Sequence, residues 1–135
     1  VAEDKNHTVD RKAVEAEHAP KPVFSYSQGI VSGGLLFVSG QVPVDPLTRA
    51  VPQSFADQVR RVLENIAAIA EAAGGRLADA VKMGVYLADL ANFEEMDSVY
   101  RQYFEPPLPA RTTVGASLLG YEVEMDAVIA VGRGR

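Results

Sequence analysis

Cysteine is absent from this chain of 135 residues. That removes disulfides, thiolate nucleophiles and cysteine-based metal sites, and it leaves the redox compartment open. Long apolar runs are missing as well. None approaches the roughly 18–20 residues that a membrane span requires. No signal peptide is visible in a sequence that starts at Val1, and a cytoplasmic location is expected. Histidine occurs only as His7 and His18. Both lie near the start, outside any metal-ligand spacing, and read as solvated surface side chains. No Ser/His/Asp triad can be assembled from them. There is no Gly-rich phosphate loop followed by Lys-Ser/Thr, and no dinucleotide fingerprint. Positive charge is not in excess either. A net charge of −5 argues against general nucleic-acid binding, which needs a basic footprint.

What is present is the composition of an ordinary globular domain. Apolar residues make up 47% and charged residues 23%, enough for one domain with a self-sufficient core. Residues 1–18 are read as a mobile N-terminal segment, with a short edge strand in Val9 to Ala16 as an option, and 19–135 as the domain. Ser27 to Val31 and Leu35 to Ser39 flank Ser32-Gly33-Gly34, the pattern of a hairpin. Gly40 to Pro52 is a loop, marked by its prolines. Ser54 to Ala73 is a helix. Phe55, Val59, Val62, Leu63, Ile66, Ile69 and Ala70 recur at helical spacing, Ser54 with Asp57 resembles a capping box, and Gly74-Gly75 stops it. Asp79 to Leu87 alternates as a strand. Phe93 to Phe104 is a second helix, capped by Asn92 with Glu95 and ended by Pro106-Pro107. Arg111 to Ser117 and Glu122 to Val131 are strands, and Gly132 to Arg135 is a basic tail. The order predicts an α+β sandwich, a mixed sheet with two helices on one face. Leu36, Val38 and Val128 are assigned to the other face, whose apolar character suggests association through the sheet.

Four features carry candidate chemistry. Arg111 follows Pro107-Leu108-Pro109-Ala110 and opens a β-branched segment. An arginine at the mouth of a buried strand needs a partner, and its planar fork suits a carboxylate. That partner is either a ligand or a structural glutamate. Tyr26 stands at a strand entry, where packing and a cleft role both fit. Ser39-Gly40-Gln41 ends a strand, as turn chemistry or as a site. Alternation places Glu122, Glu124 and Asp126 on one strand face ahead of the apolar run from Ala127 to Val131, so one of the three acids belongs in a cleft.

Together, Tyr26-Ser27-Gln28, Phe37-Val38-Ser39-Gly40-Gln41-Val42-Pro43, Pro109-Ala110-Arg111 and Val123-Glu124-Met125-Asp126-Ala127 resemble the Rid family (RidA, YjgF-type), in order and spacing, from about Pro20 to Val131. The resemblance implies a chorismate-mutase-like fold and a homotrimer whose sheets form a barrel with clefts between subunits. It implies hydrolysis of enamines and imines, 2-aminoacrylate and 2-imino acids, to 2-oxo acids and ammonia. In those terms Arg111 binds the substrate carboxylate, Glu124 serves the hydrolytic water, Tyr26 and Ser39 line the cleft, and Gly40 and Thr113 offer backbone groups. The chemistry needs no metal or organic cofactor, and neither a nucleic acid nor a membrane is an expected partner. Two positions depart from the family pattern. Asp97 stands where the family often carries Asn, and Thr113 where it often carries Cys. Pro22-Val23-Phe24-Ser25 also lacks the usual Gly-Pro. Competing readings are a carboxylate-binding sensor using the same cleft, a ribonuclease or translation inhibitor, and a chorismate mutase. The acidic charge and the lack of a basic-aromatic stripe oppose the ribonuclease. A single cleft arginine opposes the mutase.

Overall fold

A computed structural model describes residues 9–132. Val1 to Thr8, including His7, and Arg133 to Arg135 lie outside the described residues. One six-stranded sheet is built from β1 (Lys12–Val14), β2 (Gly29–Ser32), β3 (Leu35–Gln41), β4 (Ala80–Leu87), β5 (Ala110–Gly115) and β6 (Val123–Ala130), in the order β1-β2-β3-β6-β4-β5. β4 and β5 are parallel and the remaining pairs antiparallel. The helices α1 (Phe55–Ala72) and α2 (Phe93–Tyr100) are the two crossovers. No described helix is long and apolar enough to cross a membrane.

The local rules explain each element. Gly33 and Gly34, at φ 61 and 79, make the two-residue turn that a hairpin with Ser32 opposite Leu35 requires. Ser54 caps α1, its hydroxyl accepting from the Asp57 N–H at 3.1 Å. The reciprocal half of the expected capping box is not made, because the Asp57 carboxylate turns to Arg60 at 2.7 Å. Gly74, at φ 80, ends the helix, with the Gly75 N–H reaching the Ala70 carbonyl at 2.8 Å.

Expectations about element ends and caps are refined first. α2 ends at Tyr100 and tightens into a 3-10 turn over Arg101–Tyr103 rather than running to Phe104; the prolines that follow pull the chain out of helix. Asn92 makes no side-chain cap, since it lies inside a preceding 3-10 turn whose start Asp89 caps, accepting from the Ala91 N–H at 2.9 Å. Part of the segment read as 1–18 belongs to the sheet, as the edge-strand option for Val9 to Ala16 has it. β1 pairs with β2, and the buried Gln28 amide binds the backbone of Ala16, Ala19 and Pro20.

The core lies between the helices and one sheet face. Val59, Val62, Leu63, Ile66 and Ile69 of α1 and Met96 of α2 pack with Leu36, Val38, Met83, Val85, Leu87, Val123, Met125 and Ile129, all but Val38 fully buried. Each large aliphatic truncated there would cost about 2–5 kcal/mol. Leu36 and Val38 thus belong to the covered face, not the open one. The open face carries Ile30, Phe37, Val128, Tyr86, Val114 and the acids Glu124 and Asp126. Phe37 and Val114 remain 46% and 42% exposed. Glu122 precedes β6 and is exposed, so the expected row of three acids holds only two.

Candidate active site

β5 is an edge strand, and its alternation turns Arg111 and Thr113 toward α2 while Thr112 and Val114 face away. The Arg111 guanidinium lies against α2. Its Nη1 donates to Asp97 Oδ1 at 2.7 Å, and its Cζ sits 4.7 Å from the ring centre of Tyr100 and 5.5 Å from that of Phe93. Two aromatic faces and a carboxylate are the environment a partly buried guanidinium needs. The in-chain partner is Asp97, not the glutamate expected of a structural pair. The second Asp97 oxygen accepts from Arg101 Nη2 at 2.7 Å. Arg101 and then Arg111 hold the Asp97 carboxyl below its usual range. The contact with Asp97 engages Nη1, one of the three guanidinium nitrogens of Arg111. The buried Tyr100 hydroxyl makes no hydrogen bond among the described residues. Burial pushes that phenol up, and the neighbouring Arg111 charge works against the rise.

Glu124 lies on the opposite face of the sheet. It follows Val123 in β6, so alternation points it away from the helices. Its carboxylate rests on the bare backbone of Gly40, where a Cβ would overlap Glu124 Oε2. Gly40 and Ser39 occupy the irregularity in the β3–β6 ladder between Val38 and Gln41, a bulge that brings this backbone close. Burial, with Asp126 nearby, raises the Glu124 pKa above the usual carboxylate range. Asp126 repeats the arrangement over Gly84 and accepts from the Tyr86 hydroxyl at 2.9 Å. That hydrogen bond is the main reason the Tyr86 phenol is pushed up, with burial second.

The Ser39 hydroxyl donates to the Ser27 carbonyl, which ties the strand end to the residue after Tyr26. Tyr26 is 48% exposed and lines a cavity of about 580 Å³ with Lys21, Pro22 and Ser27. Ser39, Gly40 and Glu124 are therefore brought together, with Tyr26 one residue from the group. Arg111 and Thr113 are not part of it. A larger cavity of about 920 Å³ is bordered by Arg76, Asp79, Tyr103 and Pro107 and includes none of these residues.

Sequence reading missed the cage around Arg111. Phe93, Asp97, Tyr100 and Arg101 lie three or four apart on α2 and its final turn, spacing that puts them on one face. Phe93 and Tyr100 also fit the apolar stripe of an amphipathic helix, which hides their role around Arg111 in the sequence. The Tyr86–Asp126 pair was also missed, since it joins strands 40 residues apart in sequence.

The family model described as Endoribonuclease L-PSP matches residues 16–131. A RutC family protein of Pyrococcus horikoshii is 46% identical over 121 residues, covering 87% of this chain and 96% of its own length. An Escherichia coli protein named "Putative reactive intermediate deaminase TdcF" is 37% identical over 119 residues, covering 86% of this chain and 92% of its own. The crystal structure of E. coli TdcF with bound serine superimposes with a TM-score of 0.83 at 35% identity, over 88% of this chain and 98% of the other.

Proposed function

Because the chain belongs to the Rid (YjgF/RidA) family, the one matched by the endoribonuclease L-PSP model over residues 16–131, we propose that it is a cytoplasmic hydrolytic deaminase of reactive enamines and imines. Its substrates are 2-aminoacrylate and 2-imino acids, and its products 2-oxo acids and ammonia. The observation that carries this reading is Glu124, a carboxylate set on the bare backbone of Gly40 with its proton affinity raised by burial. A carboxylate so placed is a better proton acceptor than a free one and suits proton transfer to and from a water.

In this reading the Nε–Nη2 edge of Arg111 takes the substrate carboxylate in two parallel hydrogen bonds and fixes the imine carbon. Glu124 orients a water and accepts its proton. The water oxygen bonds to the imine carbon, and the π electrons of C=N move to nitrogen, which takes a proton. In the resulting carbinolamine the hydroxyl proton passes to nitrogen, by way of Glu124 or water, as the C–N bond breaks, so that ammonia leaves and the oxygen lone pair closes the 2-oxo group. Tyr26 and the Ser39 oxygen hold the polar end of the substrate or its waters, and the Gly40 and Thr113 backbones complete the contacts. Arg111 and Glu124 face opposite sides of one sheet, so a small substrate that meets both lies between two copies of the chain. This supports the homotrimer with intersubunit clefts, assembled over the open apolar face around Phe37 and Val114.

The test couples the protein to an amino-acid oxidase, with semicarbazide trapping the released imine. Wild type at catalytic amounts suppresses trapping, and Arg111→Ala and Glu124→Gln do not. A wild type that never suppresses trapping, yet binds carboxylates, would sink the deaminase reading in favour of a carboxylate-binding protein.

A further inference from the structure

The anchor arginine is not alone. Asp97 takes Arg111 Nη1 through Oδ1 and Arg101 Nη2 through Oδ2, each at 2.7 Å. Arg111 is largely covered, its side chain 21% accessible, whereas Arg101 is 72% accessible. The three charges form a line running from the covered guanidinium out to solvent, with a sum of +1.

We propose that Asp97 determines which carboxylates the Arg111 site accepts, positioning the guanidinium and limiting the site to ligands with one negative charge. The inference deepens the deaminase reading and rests on Arg111 being a carboxylate anchor. Two arguments carry it. With Nη1 committed to Asp97 and Cζ packed against the rings of Phe93 and Tyr100, the guanidinium is held in place, and a ligand carboxylate that grips it in two parallel hydrogen bonds must do so through Nε and Nη2. Asp97 also brings a negative charge to the same guanidinium, so Arg111 and Asp97 as a pair offer no net attraction at a distance. Arg101, on the far oxygen, restores one positive charge. One ligand carboxylate brings the cluster to neutrality. A second one leaves an uncompensated negative charge beside Asp97, in a partly covered setting where charges are screened less than in water. The site therefore favours 2-imino and 2-oxo monocarboxylates over dicarboxylates.

The test reads binding of unreactive products, 2-oxobutanoate and 2-oxoglutarate, by calorimetry on the full chain, with imine trapping run alongside. Wild type binds 2-oxobutanoate more tightly than 2-oxoglutarate. Asp97→Asn keeps an acceptor for Nη1 and removes the charge. It tightens 2-oxobutanoate roughly tenfold and 2-oxoglutarate by several-fold more, narrowing the preference. Asp97→Leu removes charge and acceptor together. It lowers kcat in the trapping assay, whereas Asp97→Asn changes mainly KM. Arg101→Gln, at an exposed position, weakens both ligands several-fold. An unchanged ratio between the two ligands in Asp97→Asn, or Asn and Leu variants that behave alike in kcat and KM, overturns the proposal. Because binding is read apart from turnover, a protein that binds 2-oxobutanoate as described but hydrolyses no imine defeats the deaminase reading alone.

Discussion

Arg111 and Glu124 stand on opposite faces of one sheet, with β4 between their strands. Arg111 is in register with Met83 on the helix-covered face, and Glu124 with Tyr86 on the open face. Two strand spacings, about 10 Å, separate them laterally before the thickness of the sheet is added. A 2-imino acid of a few atoms cannot bridge that path within one chain.

Subunit mixing tests this separation directly. Arg111→Ala and Glu124→Gln proteins are each expected to be inactive in imine trapping. Unfolded together and refolded as mixed oligomers, they regain activity, because some clefts receive Arg111 from one chain and Glu124 from another. Random mixing in equal amounts restores roughly a quarter of the clefts. No recovery, with mixed oligomers verified by mass spectrometry, would place both residues in a single-chain site.

Arg111→Lys separates a fork from a point charge. Lysine keeps the charge but cannot hold Asp97 with one nitrogen and a carboxylate with a planar edge. Loss of a buried charged hydrogen bond corresponds to roughly 2–5 kcal/mol, a 30- to several-thousand-fold fall in kcat/KM. Lysine is expected to fall close to alanine. Full activity in the lysine variant disproves bidentate anchoring.

Glu124 imposes a pH dependence of known sign. Its folded pKa is raised above the unfolded value, chiefly by burial and then by Asp126. The native state therefore holds more protons between those two values. Stability from this group is present below the unfolded pKa and lost as pH rises through the folded one. A thermal melt series should show Glu124→Gln removing that component and gaining on wild type as pH rises through the window. In the proposed mechanism activity runs the other way, because there the ionised carboxylate accepts the proton of the water. kcat/KM of wild type rises with pH through the same window, and Asp126→Asn moves the midpoint down. A midpoint that Asp126→Asn leaves in place would show that the titrating group is not Glu124.

Gly40→Ala probes the shelf under Glu124. A methyl group there overlaps the Glu124 carboxylate, which must swing away. The expected result is a fall in kcat of roughly tenfold or more with little loss of stability, because the atom displaced is the free end of a flexible side chain and not packed core. In a Glu124→Gln background the same change costs little further activity, a non-additivity that a double-mutant cycle measures.

Local physics made much of this molecule legible in its sequence. The apolar spacing of Val59, Val62, Leu63 and Ile66, with Ser54 ahead and Gly74 behind, defines α1 because a helix of that length is decided by neighbours along the chain. The Gly33-Gly34 turn is readable for the same reason. The four motif positions of the candidate site were readable through resemblance. What was not legible depends on pieces far apart in sequence. Gln28 secures Ala16 and Pro20 through backbone carbonyls, a contact with no periodicity to betray it. Leu36 and Phe37 differ by one residue, and only the sheet order decides which of them the helices cover. The buried Asn65, which binds the carbonyls of Val42 and Val44 at 3.2 and 3.0 Å, moors the loop after Gly40 to α1 from the middle of an apolar stripe. Asp97 was visible as a departure from the family pattern, but its grip on two arginines was not.

The place of β6 has a kinetic side. It follows every other described strand in the chain, yet it sits in the middle of the sheet, between β3 and β4. Until it is inserted, β1-β2-β3 and β4-β5 are two ribbons with no ladder joining them, and α1 has half a floor. A nascent chain emerging from a ribosome cannot finish its sheet piecemeal. Synthesis must pass Ala130 before the long-range pairing that completes the core can begin, and such non-local pairing is slow. A message cut short before Val123 yields not a weakened fold but two unmatched sheet edges, which are templates for aggregation.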